Sequence, residues 1–224
     1  MKLLIDDANI EEIKRLYDLY PIDGVTTNPS ILAKAGRDPK TVLQEIRAFI
    51  GEDALLFAQA LAPDAEGMVA DAHRILEICG NRTVVKIPSI PEGFKAIRLL
   101  KAEGIAACGT VVYTPMQAFL AAKAGASFVA PYVNRIDNMG FDGVKVVKEI
   151  QDILVNNCLE CMVLAASFKN SQQILELCAY GVGSATASPA VIDSLVKNPA
   201  IDCAVQDFLL DFERATGKTR MTEL

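Results

Sequence analysis

The chain has 224 residues, a net charge of −6 and no low-complexity stretch. About half of it is apolar, enough to bury a large core, and the length suits a single barrel domain. No basic stripe appears, which argues against nucleic acid or an anionic membrane as partner, so an anionic ligand would need a local basic pocket.

Strand-like and helix-like segments alternate along the chain. KLLID (2–6) reads as a strand, followed by a helix over 10–20 with Asn9 as N-cap and Glu12 three residues on. Ile10, Ile13, Leu16, Tyr17 and Tyr20 keep helical spacing. DGVTTN (23–28) is the second strand. LLFAQAL (55–61) is the third, with a helix over 64–79. TVVKIP (83–88) is the fourth, with a helix over 91–103. IAACGTVV (105–112) is the fifth, with a helix capped by Thr114 and opened by Pro115. SFVAPYV (127–133) is the sixth, followed by a longer loop and a helix over 141–156. CMVLAAS (161–167) is the seventh, with a helix over 170–179. GSATAS (183–188) is a weak eighth, with a helix starting at Ser188-Pro189. A last helix runs from Pro199 to about Thr216.

Eight such units predict an α/β fold, a closed (β/α)8 barrel over residues 1–224, with 199–224 as an added C-terminal helix and tail. A doubly wound open sheet is the alternative, but it usually has fewer strands and a glycine-rich phosphate loop, and neither nucleotide-binding glycine motif occurs. The stretch between Glu103 and Lys123 carries no charge and is long enough to cross a bilayer. Gly109, Thr110, Thr114, Pro115 and Gln117 in its middle favour strand, turn and helix instead. Met1–Asn9 is too short and too acidic for a signal peptide.

Six cysteines include one C-x-x-C pair, Cys158 and Cys161; with His73 as the sole histidine, in a predicted helix, no zinc set forms. The expectation is reduced, mostly buried thiols in a cytoplasmic protein, with no metal.

Lys86 is the oddity, lying among Val84, Val85, Ile87 and Pro88 in an apparently buried strand. Barrel active sites are built from the C-terminal ends of strands, and side chains alternate inward and outward. With Lys86 inward, the other strand ends offer Asp6 (above Leu4), Thr26 and Asn28, Gln59 (above Phe57), Thr110, Tyr132 and Ser167. Arg135 and Lys169 follow strands six and seven, within expected reach of an anion at the barrel mouth. Each residue alone has a bland reading: a salt-bridged or snorkelling lysine, a capping aspartate, a core tyrosine. Their convergence on one barrel end suits a site better than a core.

A lysine in apolar surroundings has its charged form disfavoured, and a neutral amine attacks ketones and aldehydes. The resulting Schiff base is an electron sink for cleaving a carbon–carbon bond. Asp6, Gln59, Thr110 and Tyr132 are the expected proton shuttle, acting through a positioned water. Arg135, Ser167 and Lys169 are expected to hold a phosphate.

The segments GVTTNPSI (24–31), VVKIP (84–88), APYVNRID (130–137) and AASFKN (165–170) resemble the small-subunit transaldolase family, in order and over nearly the whole chain. The resemblance implies a class I aldolase on a (β/α)8 barrel, with Lys86 forming the Schiff base. It implies roles for Asp6 and Asn28, a phosphate arginine at Arg135 and a serine at Ser167. Thr26, Phe57 and Lys169 complete the residues expected to contact substrate. The family's transaldolases carry glutamate on the third strand and phenylalanine on the sixth. This chain has Gln59 and Tyr132, similar to the fructose-6-phosphate aldolase subgroup. The resemblance further implies no organic cofactor, a phosphosugar or hydroxyketone substrate, and a ring-based homo-oligomer, commonly a decamer, with the C-terminal helix on a neighbour. Two departures stand out. Asp7 replaces a frequent threonine and is expected to point at the helices, and the eighth strand lacks the family's more apolar ending. Transaldolase activity and a non-catalytic phosphosugar-binding barrel are the rival readings.

Overall fold

The computed structural model describes all residues, Met1–Leu224. Eight strands pair in parallel in chain order and β8 returns to β1, closing a barrel: β1 (Lys2–Asp6), β2 (Gly24–Thr26), β3 (Leu55–Gln59), β4 (Thr83–Pro88), β5 (Ala107–Val112), β6 (Phe128–Pro131), β7 (Met162–Ala165) and β8 (Ser184–Ala187). The helices between them are α1 (Ile10–Leu19), α2 (Pro29–Lys34), α3 (Pro39–Ile50), α4 (Ala65–Cys79), α5 (Pro91–Ala102), α6 (Pro115–Ala124), α7 (Val133–Asp137), α8 (Gly143–Asn156), α9 (Ser171–Tyr180) and α10 (Pro189–Ser194).

The alternation of strand side chains divides the core in two. Ile5, Val25, Leu56, Ala58, Val85, Ile87, Val129, Val163 and Ala165 face the helices and pack with Ile13, Leu16, Ile46, Met68, Ile97 and Ile150. Leu4, Phe57, Val84, Cys108, Ala130 and Leu164 form a separate cluster inside the barrel, with Phe128 edge-to-face on Phe57 at 5.1 Å between ring centres. This interior set is the floor on which the polar strand ends stand.

Caps fix where the loops enter the helices. Asn28 accepts from Ile31 N at 3.0 Å, and Thr114 and Gln117 form a reciprocal capping box at α6. Asn9 caps α1 through Glu11 N, while Glu12 pairs with Arg15 at 2.9 Å rather than reaching back to the cap. Close packing at the end of β4 needs Gly93: a Cβ there would lie 1.8 Å from the carbonyl oxygen of Pro88. The uncharged stretch before Lys123 is β5, a turn and α6, and no helix is long and apolar enough to cross a membrane.

Two expectations change. The loop after the sixth strand is a short helix, α7, so Arg135 is helical. Asp137 holds that helix in place, accepting from Gly143 N at 2.7 Å and Gln173 Nε2 at 2.6 Å. The thiols are less buried than expected: all six cysteines are free, but Cys158, Cys178 and Cys203 are exposed.

The chain divides into two compact units, Met1–Ile192 and Asp193–Leu224. The second carries α11 (Pro199–Thr216), capped by Asn198, and a single 3-10 turn at Met221–Glu223. None of the α11 residues is buried, and Ile201, Val205, Phe208 and Leu209 are exposed.

Candidate active site

A cavity of about 270 Å³ opens at the C-terminal ends of the strands. Among its lining residues are Asp6, Asn28, Gln59, Lys86, Tyr132, Arg135 and Ser167, from six different strands or the segments that follow them. Asp6, Gln59 and Lys86 stand two residues beyond the floor residues Leu4, Phe57 and Val84, so alternation carries them inward.

Lys86 is 5% exposed, and its Nζ donates to the Thr27 carbonyl oxygen at 3.1 Å. The surroundings are thus not wholly apolar: a backbone carbonyl holds the amine, and the Lys86 charge acts on the Asp6 carboxyl. Burial pushes that carboxyl above the ordinary aspartate range. Lys86, the Thr26 hydroxyl and Arg135 pull in the opposite direction, and Asp7 adds to the rise. On the neighbouring strand, in register with Lys86, burial raises the Cys108 thiol to about 12 despite the Lys86 charge, so it stays protonated and unreactive at neutral pH.

Tyr132 is held on three sides. Its hydroxyl lies 3.0 Å from Thr110 Oγ1, the Arg135 guanidinium stacks on its ring at 4.5 Å, and Tyr113 meets it edge-on at 5.6 Å. Tyr113 accepts a hydrogen bond from Arg135, which holds the guanidinium above the usual arginine range. The cation is therefore oriented before any anion arrives.

Four expected contacts fall elsewhere. Phe57 is fully buried in the floor and does not line the cavity, because the side chain two residues later covers it. Thr26 and Thr110 are also fully buried and meet the cavity only through hydrogen bonds, Thr26 with Asp6 and Thr186 and Thr110 with Tyr132. Lys169 is exposed and does not line the cavity; its backbone N–H is tied to Gln173 at 2.9 Å. Ser167 does line the cavity, but not by strand alternation. With Leu164 inward, Ala166 is the next inward position, and Ser167 turns in through a left-handed backbone, φ 61°. Asp7 caps its own loop, accepting from Ala8 N at 2.7 Å and Asn9 N at 3.1 Å. It also helps line a larger neighbouring hollow that shares Asp6.

Other lining residues were not singled out from sequence. Thr186 on β8 is one, and the alternation of polar residues in SATA is the signal that reveals it. Val111 is another: its φ of 60° is costly for a β-branched residue and coincides with a shift in the β5–β6 register. Gln117 braces this bend, donating to Ser89 O at 3.1 Å and Val111 O at 3.3 Å. His73 lies at the surface with Glu103 2.6 Å from its Nε2, and it does not line the cavity.

A solved structure titled "Native KDPGal structure" is similar in fold, with a TM-score of 0.59 over 84% of this chain and 82% of that chain, at 15% sequence identity. The family profile described as "Transaldolase/Fructose-6-phosphate aldolase" matches residues 3–222, a span that contains all eight barrel strands but the first residue of β1 and every residue lining the cavity. On that match the chain belongs to the transaldolase/fructose-6-phosphate aldolase family.

Proposed function

We propose that the protein is a class I aldolase that uses Lys86 to cleave or form fructose 6-phosphate from dihydroxyacetone and glyceraldehyde 3-phosphate, or to run a closely related dihydroxyacetone-dependent reaction. The observation that carries this reading is a buried lysine lining a polar cavity at the barrel mouth, with a carboxyl and a phenol lining the same cavity. The neutral amine adds to the substrate ketone, and the ketone oxygen leaves as water, giving an iminium on Lys86. A base then takes the proton from the hydroxyl on the far carbon of the bond to be broken. That bond cleaves, an aldehyde departs, and its electrons are held as an enamine. Protonation of the enamine and hydrolysis return the lysine. Asp6 is the carboxyl placed to accept a proton, and Tyr132 the phenol placed to orient water or donate one. Arg135 and Ser167 hold the phosphate.

Gln59 and Tyr132 favour release over transfer. A glutamine does not exchange protons as a carboxylate does, whereas the phenol offers the enamine a proton source. Transaldolase activity, with the enamine kept for a second aldehyde, is the runner-up, and a phosphosugar-binding barrel without catalysis is the rival from another class. The same family reading supports a homo-oligomer, such as a decamer, in which a second copy covers the exposed apolar residues of α11. Six free thiols favour the cytoplasm as its location.

The test is release of glyceraldehyde 3-phosphate from fructose 6-phosphate, with and without erythrose 4-phosphate. Release without acceptor supports an aldolase. Release only with acceptor means transaldolase; no release in either case rules out fructose 6-phosphate as donor, and no release from other hydroxyketone donors as well refutes both. Gln59→Glu and Tyr132→Phe should shift the partition towards transfer; an unchanged partition removes the role given to these two residues.

A further inference from the structure

Thr26 sits between two groups it can bond. Its Oγ1 is 2.7 Å from Asp6 Oδ1 and 2.6 Å from Thr186 Oγ1. Thr26 is fully buried and Thr186 is 2% exposed, yet Thr186 lines the cavity and Thr26 does not. A hydroxyl has one proton to give. When Asp6 is ionised it accepts only, so Thr26 gives its proton to Asp6 and must accept from Thr186. The Thr186 oxygen then has its proton committed inward and its lone pairs free to accept from the cavity.

We propose that Thr186 is a positioning residue for Asp6: it forms the cavity-side end of a hydroxyl chain, Thr186–Thr26–Asp6, that presents the state of Asp6 to a hydroxyl of the bound hydroxyketone. This rests on the aldol reading of the same cavity. With Asp6 ionised, Thr186 accepts a hydrogen bond from the substrate hydroxyl. When a proton arrives, Thr186 takes it and passes its own to Thr26, and Thr26 passes its own to Asp6. Each hydroxyl gains one proton and gives up one, so the net change is one proton on Asp6. The chain then points the other way, with Asp6 donating to Thr26, Thr26 to Thr186, and Thr186 into the cavity. Successive hydrogen bonds in a buried chain polarise one another, so the Thr186 donation makes Thr26 a stronger donor to the carboxylate. The other groups acting on Asp6 are Lys86 from β4, Arg135 from α7 and Asp7 next to it on the chain, and none belongs to β8. Through Thr26, Thr186 links β8 to this carboxyl.

The test compares the wild type with Thr186→Val, which removes the hydroxyl at nearly constant volume, and Thr186→Ser, which keeps it. Thermal melts verify that each variant folds. The Asp6 carboxyl is titrated by NMR in the substrate-free protein, with Asp6→Asn assigning the signal. Thr186→Val should raise the Asp6 midpoint by about half a pH unit, the size expected for weakening one hydrogen bond, and Thr186→Ser should leave it in place. The acid limb of the kcat/KM profile with fructose 6-phosphate should move with the midpoint. An unmoved midpoint in Thr186→Val, an equal shift in Thr186→Ser, or a moved midpoint with an unmoved limb each overturns the proposal. If the wild type releases no aldehyde, the aldol reading fails separately, while the titration still decides whether Thr186 acts on Asp6.

Discussion

The floor and the mouth of the barrel are built on the same strands, two residues apart, and they differ in nearly everything else. Leu4, Phe57 and Val84 fill the floor; Asp6, Gln59 and Lys86, next in the same inward phase, line the mouth. The floor supplies stability by burying apolar surface. The mouth forgoes that gain at each strand and accepts the cost of dehydrated polar groups. That cost is visible in the raised Asp6 carboxyl and in the left-handed backbones of Val111 and Ser167. The comparison teaches that position along the strand, rather than residue type alone, separates structural from chemical groups. Thr26 and Thr110 mark the limit of that rule: Thr26 is in register with Asp6 and Thr110 stands two residues beyond the floor residue Cys108, yet both are fully buried and act through hydrogen bonds, to Asp6 and Thr186 and to Tyr132.

The largest effect is expected at the mouth. Lys86→Met should lower kcat/KM for aldehyde release by about 10⁴-fold or more, as loss of a covalent nucleophile does, while the melting temperature stays within a few degrees or rises. A variant that keeps a tenth of the activity would break the comparison. At the floor, Phe57→Ala should cost about 3–5 kcal/mol of stability by opening a cavity, read as a fall in denaturant midpoint. Its kinetic effect at a temperature where it remains folded should be far smaller than that of Lys86→Met.

Asp6→Asn sharpens the contrast by moving the two properties in opposite directions. The folded carboxyl titrates above its unfolded value, so the unfolded state loses its proton first. Stability from this group therefore falls as pH rises from the ordinary aspartate range through the folded value, and stays lower above it. Asparagine removes that loss. The variant should melt higher than wild type at neutral pH, with the gain shrinking as pH falls towards the ordinary aspartate range, and should lose activity by about 10²-fold or more. A lower melting temperature at neutral pH would show that the hydrogen bond with Thr26 outweighs the burial cost. The smallest effect belongs to Lys169→Ala. The exposed side chain does not line the cavity, so KM for fructose 6-phosphate should change less than twofold; a rise comparable with that of Arg135→Ala would restore Lys169 to the phosphate site.

Much of this was legible in the sequence. The eight-strand alternation, the caps at Asn9 and Thr114 and the inward phase of Lys86 all follow from local periodicity and hydrogen-bonding chemistry. Depth was not legible. Alternation says which face a residue takes but not whether its neighbours cover it: it brings Phe57 and Thr26 to a ligand and Thr110 into the proton shuttle, whereas the structure fully buries all three. Local breaks of the regular backbone were also hidden. Nothing in the residue types at Val111 or Ser167 announces a positive φ, and the turn that carries Ser167 inward carries Lys169 away. On the four-residue β8 the only pointer to Thr186 is the single alternation of Ser184 and Thr186 in SATA, a short signal.

Borohydride trapping with a hydroxyketone donor, followed by peptide mapping, tests the central claim most directly. The account predicts a stable secondary amine on Lys86 and none in Lys86→Met. An adduct on any other lysine, or none on a protein that still releases aldehyde, would contradict it.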